Sequence, residues 1–410
     1  MKSTTSMALT IILSFFVIIP TAPAAPADDN DEIERLRREA GTEIEQAGKE
    51  SAGELPKLQT DTVFSSGNRA LQALNPEMSV VVDAGARASM TDFDGDTLGD
   101  GSQFYFRVLG LHFQANLDPF SFFKSAVEFH VDGVELGEAY ATWVNVLPGI
   151  NLTLGKFRQQ FGVIQRWHVP SLDQFDFPLA ITTLLGGDGL NQIGFSLEWI
   201  APALWADDQR VVLQVTNSSN EQLFNGQQFG VPAGLLHWSQ YYDLSESTYL
   251  ELGLTGMLGT NNKRNLLDDN GDRSDEPWRM TTLAGADLTV SWSPLHNERY
   301  RHLTWRSEFY WVGQETPDGY LAAGGGYSYL DAGLSEALAI GVRGDLTQPF
   351  LVDNDGRWIW QAVAYLTWWE SPWVKTRLQL AHKDGDGQPA EDLLLVQIVF
   401  AAGPHKHDRY

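Results

Sequence analysis

The chain has no cysteine in 410 residues. That excludes a disulfide framework, thiolate metal ligands and cysteine nucleophiles. Basic residues are also scarce: 28 Lys and Arg against 53 Asp and Glu leave a formal charge of -25. Nucleic-acid binding needs a basic face, so DNA and RNA are excluded as main partners. Beyond the N-terminus no 18-residue apolar run occurs, and no membrane-crossing helix is expected there. What is abundant is glycine (38) and tryptophan (14), in a chain that is 43% hydrophobic and 20% charged. Those proportions are globular rather than disordered or collagenous. Trp and Gly in an acidic chain without cysteine point to a β-rich protein with one wet and one apolar surface.

Residues 1–27 read as a signal peptide. Lys2 precedes the apolar run Met7 to Ile19, Pro20 breaks it, and small residues follow with A-x-A sites ending at Ala24 or Ala27. The run is short for a retained anchor. Residues 28–60 are charged and free of aromatics, with Ile33, Leu36 and Ala40 at helical spacing before Gly41 interrupts. They read as a periplasmic helical or coiled-coil-like segment, either a solvated tail or a trimerising stalk.

From Met78 to the end the hydrophobic period becomes two. Leu109, Leu111, Phe113, Ala115 and Leu117 alternate with Gly110, His112, Gln114 and Asn116. Near the C-terminus Leu394, Val396, Ile398 and Phe400 repeat the pattern. Sixteen such segments are expected: 79–90, 103–117, 121–132, 135–147, 150–158, 190–200, 209–217, 234–242, 246–258, 280–294, 300–313, 319–331, 335–346, 358–369, 373–383 and 391–401. Most are long enough to cross a bilayer obliquely.

Their connections alternate in character. Tight turns (LDPF, LPG, DLSES, DAGLSE, ESPW) and two slightly longer links alternate with polar loops such as TDFDGDTLGDGS, residues 159–189 and QPFLVDNDGR. DGDGQPA belongs to the polar set, and two members of it, DGVE and QETPD, are short. Short turns on one side and long loops on the other are the signature of an outer-membrane barrel, all-β and antiparallel, over 78–410. A soluble sandwich or propeller offers no reason for that alternation. In lipid every backbone N–H and C=O must pair, so the sheet must close. Trp143, Trp199, Trp292, Trp305, Trp311, Trp360, Trp368, Trp369 and Trp373 fall mostly near strand ends, as interfacial girdles require.

GKFRQQFG (155–162), QRWHVPSLDQFDFPLA (165–180) and LLGGDGLNQIGFSLEWI (184–200) resemble the phosphate-selective porin O and P superfamily, in particular an uncharacterised branch with RWH, D-x-P and G-x-x-GL-x-x-x-G. The terminal GPHKHDRY resembles the ending of that branch. The resemblance implies a sixteen-stranded trimeric porin in the Gram-negative outer membrane, with the loop after the fifth strand folded inward. Two departures stand out. Phosphate-selective members line the lumen with Arg and Lys. Here Lys124, Arg210, Arg306, Arg343, Lys375 and Arg377 would face Glu128, Glu198, Glu251, Asp287, Glu308 and Asp345, and such a balance is a poor phosphate filter. HKHDRY also lacks apolar alternation before Tyr410.

The thirty-odd residues of 159–189 are too many for an idle turn. Arg166, His168, Asp173 and Asp176, flanked by Lys156 and Arg158, are candidates for an inward constriction; an external flap is the alternative. The side that Lys156 and Arg158 face depends on whether Gly155 forms a bulge. The acidic cluster Asp92, Asp94, Asp96 and Asp100 suits calcium in residue type, but the EF-hand pattern is not met, and solvated turns explain it as well. His405 and His407 lack a third metal ligand. Enzymatic motifs are missing: there is no nucleophile elbow, H-E-x-x-H, P-loop or dinucleotide fingerprint. The expected protein is therefore a diffusion porin for small polar or ionic solutes, with no cofactor beyond calcium at acidic loops and with lipid and lipopolysaccharide around it. The alternative is a narrow or plugged barrel that binds cations or partners at the surface.

Overall fold

The computed structural model describes residues 77–91, 99–187, 189–224, 231–261, 266–267, 273–274, 277–295, 301–354 and 356–403. The expected signal peptide and the 28–60 segment lie outside the described residues, as do Asp92, Asp94, Asp96, His405 and His407.

Sixteen antiparallel strands form one closed barrel. They are β1 Glu77–Ser89, β2 Gly99–Asp118, β3 Ser121–Phe129, β4 Val134–Leu147, β5 Ile150–Arg158, β6 Asn191–Ala201, β7 Asp208–Thr216, β8 Ala233–Ser245, β9 Thr248–Thr260, β10 Met280–Trp292, β11 His302–Thr316, β12 Gly319–Gly333, β13 Leu338–Thr347, β14 Ile359–Ser371, β15 Val374–Gly385 and β16 Gln388–Ala402. Each pairs with its sequence neighbours, and β1 closes on β16 from Val80 opposite Ala402 to Ser89 opposite Leu393. No edge is left unpaired, which is the condition for a sheet in lipid. All sixteen expected segments are present. β2 and β16 run several residues beyond the expected ends because their polar extensions still find ladder partners.

The period of two sorts the side chains. On β9, Leu252, Leu254 and Leu258 are exposed on the outer face, while Thr255 and Met257 are buried within. Leu213, Leu236, Phe309, Val342, Leu380 and Ile398 continue the exposed apolar surface onto other strands. In water so much exposed hydrocarbon would drive association; against lipid tails it is solvated.

One end of the barrel carries the connections 119–120, 148–149, 202–207, 246–247, 293–301, 334–337 and 372–373. The other carries 90–98, 130–133, 159–190, 217–232, 261–279, 317–318, 348–358 and 386–387. The alternation holds with a correction at DGDGQPA. There β15 and β16 extend toward each other until only Asp386 and Gly387 remain between them, and Gly387 supplies the left-handed backbone (φ 80°) of the tight turn.

The barrel interior is partly filled. Residues 159–190 run inside it, with single helical turns at Ile164–Arg166 and Val169–Ser171 and a short helix, α1, at Leu179–Leu185. Phe161, Ile164, Leu172, Ile181, Leu184 and Leu185 pack with Leu223 and Phe224 against Leu235, Met257, Leu283 and Val312 of the wall. This apolar core inside the barrel was hidden in the pattern. Inward positions of β8 to β12 carry apolar residues, which a water-filled lumen does not favour and a packed loop does.

Candidate functional site

The loop 159–190 is closed at its base by its own end residues. Gln159 N donates to the Leu190 carbonyl (2.8 Å), so the loop leaves and rejoins the wall between β5 and β6. From there it crosses the lumen. Gln160 N donates to Gln214 Oε1 on β7 (3.0 Å), and Val163 N and Ile164 N donate to Glu308 Oε1 on β11 (3.1 and 3.0 Å). The Tyr310 hydroxyl donates to Glu308 Oε2. The Glu308 carboxylate is thus fully employed in capping the loop. Gly162 is required here. Its φ is 73°, and a Cβ would come to 2.1 Å from Glu308 Oε2.

Beyond the crossing, His168 sits between two strands. Its Nδ1–H donates to Glu128 Oε1 on β3 (2.9 Å) and its Nε2–H to Glu138 Oε2 on β4 (3.0 Å), so the ring is an imidazolium. Burial alone would discharge it. The bonds to Glu128 and Glu138 outweigh burial and hold its pKa above the ordinary histidine value, although Arg158 opposes them.

The next segment lies along a row of basic side chains. Lys375 Nζ donates to the Pro170 carbonyl (2.6 Å). Arg377 donates to the Leu172 carbonyl (2.9 Å) and the Gln174 carbonyl (2.7 Å). Arg107 Nη1 donates to the Phe175 carbonyl (2.6 Å), with its guanidinium 3.7 Å from the Phe175 ring centre. Arg343 Nη1 donates to the Asp176 carbonyl (2.9 Å) and its Nε to Asp345 (2.8 Å). Arg306 lies over the Trp167 ring (4.8 Å) and bonds Thr289 and Tyr329. Asp173 accepts from the Tyr329 hydroxyl (3.0 Å), and Asp176 Oδ1 from Gln379 (3.0 Å).

This corrects the reading of the lumen charges. Arg306, Arg343, Lys375 and Arg377 point inward but are buried, and their donors are engaged by the loop, by Asp345 and by neighbouring side chains rather than presented to solvent. Arg107 was missed. It is the extra residue where β2 skips a partner on β1, between Val108 opposite Asp83 and Phe106 opposite Ala84. A bulge re-aims the side chain, and plain alternation cannot reveal it. Lys156 is corrected too. It pairs with Ile193, which is exposed on the outer face, and its Nζ lies 3.6 Å from Glu135, so it is not at the constriction. Arg158 remains near the rim, where its N–H donates to Glu138 Oε1 (3.1 Å). Lys124 lies on β3 opposite Gln114.

Open space is found elsewhere. A cavity of about 600 Å³ runs along β6 to β9, walled on the loop side by Gln160 and Arg166. Its barrel wall carries Glu198, Asp208, Arg210, His237, Tyr241 and Glu251. The volume is that of a small-molecule site. Arg210 is tied to Asp208 (2.8 Å) and lies 3.7 Å from Glu198. Arg166 stands apart from the basic row: its Nε has no partner among the described residues, and it feels Glu251, Asp287 and Glu308 at longer range. Of the residues expected at the constriction, the structure therefore brings Arg166 to the open space and places His168, Asp173 and Asp176 in the attachment. Among the described residues no group of three or more His, Asp or Glu is arranged to hold a metal ion. Asp100 is exposed on β2.

Several known proteins share the barrel fold. OmpT, an outer membrane protein of Vibrio cholerae in its trimer form, superposes with a TM-score of 0.52 at 9% identity, covering 80% of this chain and 99% of that one. OprB of Pseudomonas putida gives 0.52 at 12%, covering 82% and 96%. An anion-selective porin from Comamonas acidovorans gives 0.52 at 11%, covering 80% and 99%. The fold is therefore that of Gram-negative outer-membrane barrels. In sequence, an uncharacterised protein of Aquifex aeolicus is 26% identical over 218 residues, 50% of this chain and 44% of that protein. The match thus spans under half the length of that relative. No family model matches the chain.

Proposed function

We propose that the protein is an outer-membrane channel through which small polar or ionic solutes diffuse passively, constricted by residues 159–190. The observation that carries this reading is the off-centre cavity. The loop bonds or packs to most of the wall, β7 included through Gln160, while polar and charged side chains line a cavity along β6 to β9. Selectivity then follows from pore radius and the field of the facing charges, with no cofactor needed. Homotrimeric assembly in a lipopolysaccharide-bearing membrane is part of the same proposal. OmpT of Vibrio cholerae, with which the fold is shared, is described in a trimer form.

Purified protein in planar bilayers tests the reading. Discrete conductance steps are expected. They should be small, because residues 159–190 pack against the inner wall on many strands. A second reading, a plugged barrel that serves at the surface, is favoured by the apolar core that the loop builds inside. It predicts a folded barrel with no steps at all.

A further inference from the structure

Counting inward-facing charges gives a near balance of cations and carboxylates, but the two signs are not spent in the same place. Arg107, Arg306, Arg343, Lys375 and Arg377 all bond to the loop or pack on it, and none of them lines the cavity. Along the cavity the wall supplies three carboxylates, Glu198, Asp208 and Glu251, against one cation, Arg210. Arg210 is itself paired with Asp208 and close to Glu198. The loop adds Arg166 alone. Behind it stand two more carboxylates, Asp287 with an unpartnered Oδ2 and Glu308.

We propose that the passage along β6 to β9 prefers cations, with Glu251 setting the preference and Arg166 the opposing charge that limits it. The proposal rests on the channel reading and names the solute class for the same cavity: small monovalent and organic cations such as amines. Three features support it. Glu251 forms no ion pair within 4.0 Å among the described residues, so its charge remains available to a passing ion. Arg166 hangs from the loop on the opposite side of that space without a bonded carboxylate, so removing it deletes a repulsion and breaks no ion pair. The basic residues that could favour anions are screened by the loop backbone they hold. A partly enclosed cavity focuses the field of an unpaired side chain far better than open water does.

The test is the ratio of K⁺ to Cl⁻ permeability, read from the reversal potential of single channels in a KCl gradient near 0.1 M. At that ionic strength screening acts over about 10 Å. The wild-type ratio is expected above one. One unit charge about 8 Å from the ion path changes ion occupancy about threefold. Because the charge acts on K⁺ and Cl⁻ in opposite directions, Glu251→Gln should lower the ratio by about the square of that factor, and Arg166→Gln should raise it. Lys156→Gln, on the outer face, should leave it unchanged. A conducting barrel with a ratio at or below one overturns the cation preference and leaves the channel reading standing. So does a ratio that moves the same way in Glu251→Gln and Arg166→Gln. A folded barrel that conducts nothing refutes the channel and the preference together.

Discussion

Arg377→Met isolates what the buried basic row does. Arg377 is 2% exposed and donates four hydrogen bonds, to the carbonyls of Leu172 and Gln174 in the loop and to Thr367 Oγ1 and Gln397 Oε1 on the wall. Methionine keeps much of the volume and removes every donor. A hydrogen bond from a charged donor contributes about 1.5–3 kcal/mol when its loss strands a buried acceptor. Two loop carbonyls lose theirs, and water re-entering the gap restores part. The loop's attachment should therefore weaken by about 3 kcal/mol, a shift of roughly a hundredfold in its release. The closed ladder of β14, β15 and β16 does not depend on this side chain, so the barrel should still fold. Single-channel recording should show larger or noisier steps, and amide exchange across 170–176 should quicken. Arg87→Met is the control, because Arg87 pairs with Glu391 and bonds no loop residue among the described ones. Unchanged conductance together with unchanged exchange in a folded Arg377→Met barrel would refute the assignment of the basic row to holding the loop.

Two further outcomes follow from the same geometry. His168 has a folded pKa above its ordinary value. Its stabilising bonds to Glu128 and Glu138 are therefore complete below the unfolded histidine pKa, about 6.5, and are lost as pH rises through the higher folded value. Alkaline pH should loosen the loop from β3 and β4, seen as faster exchange near residue 168, and His168→Gln should flatten that dependence. Leu254 lies at the middle of β9 on the outer face, 54% exposed. Leu254→Arg should destabilise the barrel in lipid by about 2–4 kcal/mol, measured by reversible unfolding from vesicles, and a neutral result would contradict a lipid-facing surface there.

Strand number and order were legible because alternation is a local property. Each strand must bury one face, and the residues that achieve it stand two apart in the chain. The thirty-residue loop after β5 was legible from its length. The roles of the loop's residues were not. His168 meets carboxylates 40 and 30 positions earlier, and Arg377 meets the loop from some 200 positions later. Nothing in either neighbourhood signals the other. Lys156 was misplaced because strand phase through Gly155 is ambiguous until the ladder partners are known. Arg107 was passed over because a bulge turns its side chain inward.

By itself the sequence determined that this chain closes into a sixteen-stranded barrel with an apolar outer surface, since hydrophobic period and loop length are written residue by residue. Only the tertiary structure decided which inward charges meet solvent. Cation and carboxylate counts are additive along a chain, but exposure is not. One loop crossing the lumen covers Arg306, Arg343, Lys375 and Arg377 and leaves Glu198, Asp208 and Glu251 on a cavity with only Arg210 and Arg166 opposing them.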